Sequence, residues 1–431
     1  MSGSPRILIT GTGAVCGAGL GVAAIWDAIV SGRSAVAPLR QWDASRWPVG
    51  IAAEVTGVDD RRLVEDRKLH KIISRTDLFG LYAAGAAILE SRLTMHRDAL
   101  LDAASAARFD DRSGVFAGSG GAVYRCNYDY FPLLTAAAGS LQVFGRELSA
   151  TVNPMWLLKN LPNNVLCHIG IRHGFKGTNA CITNQCVGGV LAISEAAAAL
   201  RTGEADRAVA VGHDAPIEPE TLLHYQNLGL LSNAAVRPFD RERNGTVFGE
   251  GAGAVVLETE ADARARQAPV FGEFLGSGCV SEATGIVDVR PDGDGLARAM
   301  ELALADASLS PGAVGMIVAH GNGTRASDAS EAAAIRHVFG TAPPLVTAFK
   351  WAFGHLIAAS GALDLLLALQ ALRCQVVPGI ATLSSLDPAF ARLPVSSSPK
   401  KPCSDTAVIC CRGFGGMNVA LVVRAKAASG A

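Results

Sequence analysis

The chain has 431 residues, 49% of them hydrophobic and 18% charged, which is enough apolar surface to order several packed layers and too much for a disordered chain. Lys and Arg total 38 against 39 Asp and Glu, a formal net charge of -1 with the cations scattered, so no basic stripe exists to grip nucleic acid or an anionic membrane. Ten cysteines occur without a CxxC spacing, which excludes a zinc ribbon and a dithiol redox motif.

The opening MSGSPRILITGTGAV has no long apolar run behind a basic stretch, and the apolar segment Leu356 to Leu372 is broken by Asp364. Both predict a cytoplasmic protein without a membrane span. Arg6 to Thr10 reads as a short strand ending at Gly11, then a Gly-rich turn and a helical pattern over Val22 to Ser31. Gly11, Gly13 and Gly17 imitate a dinucleotide fingerprint, but the last gap is three residues instead of two and no acidic residue closes a second strand near position 31. Further strands begin at Ser113, Ala208, Gly253, Val314 and Ala407. Their alternation with long Ala-rich helices predicts an α/β fold with helix-covered sheets. Leu133 to Asn164, with Pro154, Trp156 and Pro162, reads as a loop and short-helix insertion. A boundary is expected after Glu258, where TEADARARQAP precedes a new strand at Val270, so that residues 1–258 and 259–431 each carry their own sheet.

Candidate chemistry begins in CITNQCVGGVLAISEAAAALRTGEA, which puts Cys186 at the start of an Ala-rich helix. Free N–H groups and the dipole there favour a thiolate and are expected to lower the thiol pKa from about 8.5. Gly188 and Gly189 are expected to let a bulky thioester approach. Taken alone, Cys186 reads equally well as a buried core thiol. His320 closes the apolar strand Met316 to Ala319 in VAHGNGT, at the strand end where α/β sheets bind ligands. His355, in FKWAFGHLIAASGALDLLLAL, opens a second Ala- and Leu-rich helix five residues after Lys350. A cysteine and two histidines at element ends form a candidate nucleophilic site. In RGFGGMN, Arg412 to Asn418, three glycines around Phe414 permit an N–H that joins the Cys186 N–H as an oxyanion hole, or else a plain strand-to-strand turn.

The blocks RILITGTGAV, PFDRERNGTVFGEGAGAVVLE, AHGNGTRASDASEAAAI, FKWAFGH and GFGGMN run in order across the chain. Together they resemble the β-ketoacyl-acyl carrier protein synthases, the elongating condensing enzymes of the thiolase-like superfamily. The resemblance implies a thiolase-like five-layered α-β-α-β-α fold built from two similar halves, the first carrying the nucleophile and the second both histidines. It implies an acyltransferase, a 3-oxoacyl-[acyl-carrier-protein] synthase, that accepts an acyl group on Cys186 and condenses it with malonyl carrier, the enolate held by His320 and His355. Lys350 and Glu331 match the charged pair that orders the histidines, Phe414 the gate beside the nucleophile, and Asn322 and Thr324 the positions that contact the pantetheine arm. No metal or redox cofactor is implied. The substrates ride on the phosphopantetheine of an acyl carrier protein, and pairing with a second copy or with a ketosynthase-like subunit is implied.

Several positions depart from the pattern: Asn184 and Gln185 stand where Thr-Ala is usual, Asn322 and Met417 replace threonines, and Arg412 replaces a phenylalanine. A gate flanked by Arg412, with the polar Gln185, points to an acyl chain other than a plain saturated one. The alternative is therefore the catalytic ketosynthase subunit of a pigment or polyketide pathway, of the aryl polyene kind, working with a chain-length-factor-like partner. The non-catalytic member of such pairs typically has glutamine at the nucleophile position, whereas this chain keeps Cys186. A degradative thiolase would need a second catalytic cysteine, and Cys374, Cys403, Cys410 and Cys411 lie in unlike contexts. A non-catalytic scaffold predicts loss of Cys186, His320 or His355.

Overall fold

The structure, a computed structural model, describes residues 5–100, 102–121 and 132–426. The first half runs β1 (Ile7–Cys16), α1 (Arg75–Ser91), β2 (Ser113–Ser119), α2 (Asn164–His173), β3 (Asn179–Thr183), α3 (Gly188–Arg201), β4 (Arg207–Asp214) and β5 (Gly251–Thr259). The second runs β6 (Gly272–Ser281), α4 (Asp294–Asp306), β7 (Met316–Val318), α5 (Arg325–Phe339), β8 (Leu345–Thr347), α6 (Ser360–Arg373), β9 (Thr406–Gly413) and β10 (Met417–Ala425). The insertion expected before Asn164 contains helices at Leu141–Thr151 and Trp156–Lys159. Among the described residues, no helix is long and apolar enough to cross a membrane.

The strands follow the order β8-β7-β9-β10-β6-β1-β5-β4-β2-β3. Each half repeats one plan. In the first, β2 is parallel to β3 and β4, and β5 is antiparallel to β4 and β1. In the second, β7 is parallel to β8 and β9, and β10 is antiparallel to β9 and β6. The expectation of two separate sheets is corrected: β1 pairs with β6 from Ile7↔Phe274 to Ile9↔Gly272, making one continuous sheet. That pairing covers two strand edges whose N–H and C=O groups would otherwise lack partners.

Helix α1 packs on β1, β4 and β5, and α4 packs on β6 and β10. Helices α3 and α6 touch each other and strands of both halves, so they form a middle layer between two sheet layers with helices outside. Sequence explains the choice: SGALDLLLALQALR carries leucine on every face, and α6 is buried except at Gln370 and Arg373.

Strand β1 does not end at Gly11; it continues to Cys16, and the expected Gly-rich turn is strand. A Cβ on Gly11 would lie 2.2 Å from the Ala87 carbonyl oxygen, and one on Gly13 2.0 Å from that of Ala83. These glycines let α1 lie directly on the strand. Gly13→Ala should therefore lower stability by about 1–3 kcal/mol, read from the urea unfolding midpoint. An unchanged midpoint would mean that α1 moves aside freely.

Candidate active site

Cys186 lies in the turn Gln185–Val187 that enters α3, and His355 lies in the segment that leads into α6. Helices α3 and α6 are equivalent in the two halves, and Cys186 stands two residues before the first while His355 stands five before the second. His320 follows β7, at the C-terminal edge of a parallel strand. The three line one cavity of about 410 Å³, with Asn322, Thr324, Arg412 and Phe414.

The turn at Cys186 is held from several sides. Gln185 has φ 44°, a left-handed conformation that a side chain rarely adopts, and its Nε2 donates to the Gly120 carbonyl at 3.0 Å. The Cys411 thiol donates to the Cys186 carbonyl at 3.2 Å. Cys410 and Cys411 are otherwise buried core, as their apolar context suggests. Gly188 and Gly189 serve packing: Cβ atoms there would lie 2.9 Å from the Ser119 carbonyl oxygen and 2.3 Å from that of Ala358. The expectation that they admit a thioester is corrected accordingly.

Cys186 Sγ is 3.4 Å from His355 Nε2, and the two imidazole rings stand edge to face with centroids 5.2 Å apart. His355 Nδ1 is 2.9 Å from Ser360 Oγ. His320 Nδ1 accepts the Arg412 amide at 3.4 Å, which leaves the proton of the neutral ring on Nε2.

Burial dominates the electrostatics. It pushes the Cys186 thiol up to about 12, with the Lys350 cation pulling down and Asp214 adding to the rise. The expected lowering by the helix N-terminus is thus corrected, because loss of water outweighs the favourable N–H groups. Both histidines are held well below 6.5, first by burial and then by Lys350, so both are neutral at physiological pH.

Lys350 and Glu331, the expected charged pair, act on each other through their charges, but each makes its hydrogen bonds elsewhere. Lys350 Nζ meets Asp364 Oδ2 at 3.0 Å, both side chains fully buried. Glu331 instead accepts the amides of His320 at 2.7 Å and Gly321 at 2.9 Å, fixing the loop that presents the imidazole. Asp364 entered the sequence reading only as an interruption of an apolar run. Its signal was there: a carboxylate on a helix apolar all round requires a buried partner.

Arg412 does not present a free charge to the cavity. Its guanidinium donates to Glu282 Oε1 at 2.7 Å, Asn418 Oδ1 at 2.9 Å and the Ser327 carbonyl at 3.1 Å. Sequence reasoning missed Glu282, which no local motif connects to position 412. RGFGGMN forms the β9–β10 hairpin turn, with Gly415 and Gly416 at φ 78° and 69°. A Cβ on Gly413 would lie 3.6 Å from Cys186 Cβ, so the hairpin backs directly onto the nucleophile candidate. The Phe414 ring packs on Tyr225 at 5.1 Å, and Tyr225 on Phe248 at 4.7 Å. Asn322 Oδ1 accepts both the amide and the hydroxyl of Thr324, at 3.0 and 2.9 Å.

Residues 4–263 match the family model "Beta-ketoacyl synthase, N-terminal domain", and residues 271–384 match "Beta-ketoacyl synthase, C-terminal domain". The 3-oxoacyl-[acyl-carrier-protein] synthase 2 of Coxiella burnetii is 30% identical over 427 residues, spanning 97% of this chain and 98% of that protein. The solved ishigamide ketosynthase/chain length factor superposes with a TM-score of 0.86 at 27% identity, covering 98% of this chain and 100% of that one. A ketosynthase solved in complex with a type II polyketide synthase acyl carrier protein gives a TM-score of 0.82 at 26% identity, with 98% and 100% coverage.

Proposed function

The chain belongs to the β-ketoacyl synthase family, and on that premise we propose that it condenses an acyl group with malonyl carrier through Cys186, His320 and His355. The observation that carries this reading is the convergence of one thiol and two neutral imidazoles on a single cavity, with 3.4 Å between Sγ and His355 Nε2.

An acyl thioester arriving on the phosphopantetheine of an acyl carrier protein is attacked by Cys186 Sγ. A new C–S bond forms, the bond to pantetheine breaks, and the thiol proton leaves on the pantetheine sulfur. The amides of Cys186 and Phe414 are the donors for the oxyanion. Malonyl carrier then enters past Asn322 and Thr324, and its thioester carbonyl accepts the Nε2 protons of His320 and His355. Loss of carbon dioxide leaves the electron pair on the enolate held by those N–H groups. The enolate carbon attacks the Cys186 thioester and the C–S bond breaks, releasing the thiolate, which takes up a proton from water. Neutral imidazoles suit this step: they donate hydrogen bonds to the enolate, where an imidazolium would protonate and quench it.

The boundary between halves is proposed at 258/259, supported by the repeated strand plan on either side. Phe414, packed at a tilt on Tyr225, is the gate between carrier entrance and thiol. A second reading, the catalytic subunit of a type II polyketide or aryl polyene pathway with a chain-length-factor-like partner, is favoured by the neutralised Arg412–Glu282 pair and by Tyr225 at the gate.

The test is intact mass after incubation with acyl-carrier thioesters, saturated and polyenoic, followed by malonyl carrier. The expected result is acyl mass on Cys186, then carbon dioxide release and a product two carbons longer. The preferred donor separates the two readings. Acylation by none of the donors, alone or with a candidate partner subunit, would sink both.

A further inference from the structure

The two histidines are held by different kinds of group. His320 Nδ1 faces a backbone amide, which can only donate. His355 Nδ1 faces the hydroxyl of Ser360, which can donate or accept. What the hydroxyl does there is decided by counting. Ser360 is fully buried, the first residue of α6, and its Oγ already accepts the Leu356 amide at 2.8 Å. Among the described residues, that Oγ makes no hydrogen bond beyond these two. If Nδ1–H also donated to Ser360, the serine O–H would be buried without a partner, at the full cost of its lost hydration. If the serine O–H donates into Nδ1, every group is satisfied and the imidazole proton sits on Nε2, toward Cys186 and the cavity.

We infer that Ser360 is a positioning residue that sets the Nε2–H tautomer of His355, so that both histidines present N–H donors to the enolate. The inference rests on the catalytic reading of His355 above. It adds a residue that neither contacts substrate nor belongs to the cysteine and histidine set. The rest of the arrangement explains why the tautomer must be set. His355 is buried and neutral, Lys350 opposes its protonation, and a ring with its proton on Nδ1 would turn a lone pair toward the enolate oxygen. That contact would repel where a donor attracts.

The experiment follows two-bond nitrogen–proton correlations in full-length protein labelled at histidine with nitrogen-15, beside acylation and condensation assays of Ser360→Ala and Ser360→Thr. The wild type is expected to show His355, assigned by its loss in His355→Gln, as the Nε2–H tautomer. In Ser360→Ala the two tautomers are expected to mix, condensation kcat to fall about tenfold, and carrier KM and Cys186 acylation to stay within about threefold, which also reports that the site is folded. Ser360→Thr, which keeps the hydroxyl, is expected to restore both signal and rate. An Nδ1–H tautomer in the wild type, or an unchanged tautomer and kcat in Ser360→Ala, would overturn the inference. The spectrum needs no turnover. Failure of the wild type to condense would count against the proposed function alone, and the tautomer of His355 would still decide the role of Ser360.

Discussion

Cys186→Ala should abolish acyl-enzyme formation and lower condensation by at least about 10⁴-fold, because the covalent intermediate has no other thiol to form on. Cys411, a second thiol beside it, is fully buried, donates to the Cys186 carbonyl, and is pushed far above the ordinary thiol range by burial, so it offers no substitute. The same mass assay separates nucleophile from enolate donors. His320→Ala should still accept an acyl group, since Sγ has its contact with His355, yet lose condensation by about 10²- to 10³-fold, the usual worth of one oxyanion donor. A Cys186→Ala protein that still gains acyl mass would place the nucleophile elsewhere. A His320→Ala protein that condenses normally would leave enolate stabilisation to His355 alone.

Asp364→Ala should cost about 3–5 kcal/mol of stability, the range for stripping one partner from a buried ion pair. Both Lys350 and Asp364 have no exposed surface, and Asp364 Oδ2 at 3.0 Å is the only carboxylate oxygen paired with Nζ among the described residues. Removing it leaves a buried ammonium without its hydrogen-bonded counter-charge. The large effect belongs to the broken pair and not to the pair itself. The double replacement Lys350→Met with Asp364→Leu fills a similar volume with apolar atoms and should recover most of the urea midpoint. It should nevertheless remain slow in condensation, because Lys350 is the charge that keeps both histidines from protonating after burial has acted. Recovery of stability together with full activity would reduce Lys350 to a structural role; a double variant as unstable as Asp364→Ala would point to misfit packing around α6 instead of charge.

Several elements were legible before any coordinates. The strands at Ile7, Ser113, Arg207, Met316 and Thr406 are short β-branched and small-residue runs bounded by glycine, and the helices at Gly188 and Ser360 are Ala- and Leu-rich segments of helical length. Cys186, His320 and His355 stand at element ends, a placement that sequence shows directly, and the cavity gathers all three. The misreadings share one cause. Glycines in RILITGTGAV and VGG were read from their local freedom to turn, whereas Gly11, Gly13, Gly188 and Gly189 are small because another backbone approaches within 3 Å of where a Cβ would sit.

By itself, then, the sequence determined the alternation of strands and helices and the candidate trio, since each depends on the period or chemistry of adjacent residues. Only the tertiary structure decided that β1 joins the two halves into one sheet, that Lys350 pairs with Asp364, that Glu282 neutralises Arg412, that Ser360 holds His355, and that burial drives the Cys186 thiol up to about 12. Those outcomes depend on which atoms come within about 3 Å of one another and on how much water is lost there. Residues as far apart as 282 and 412 meet only once the layers have packed.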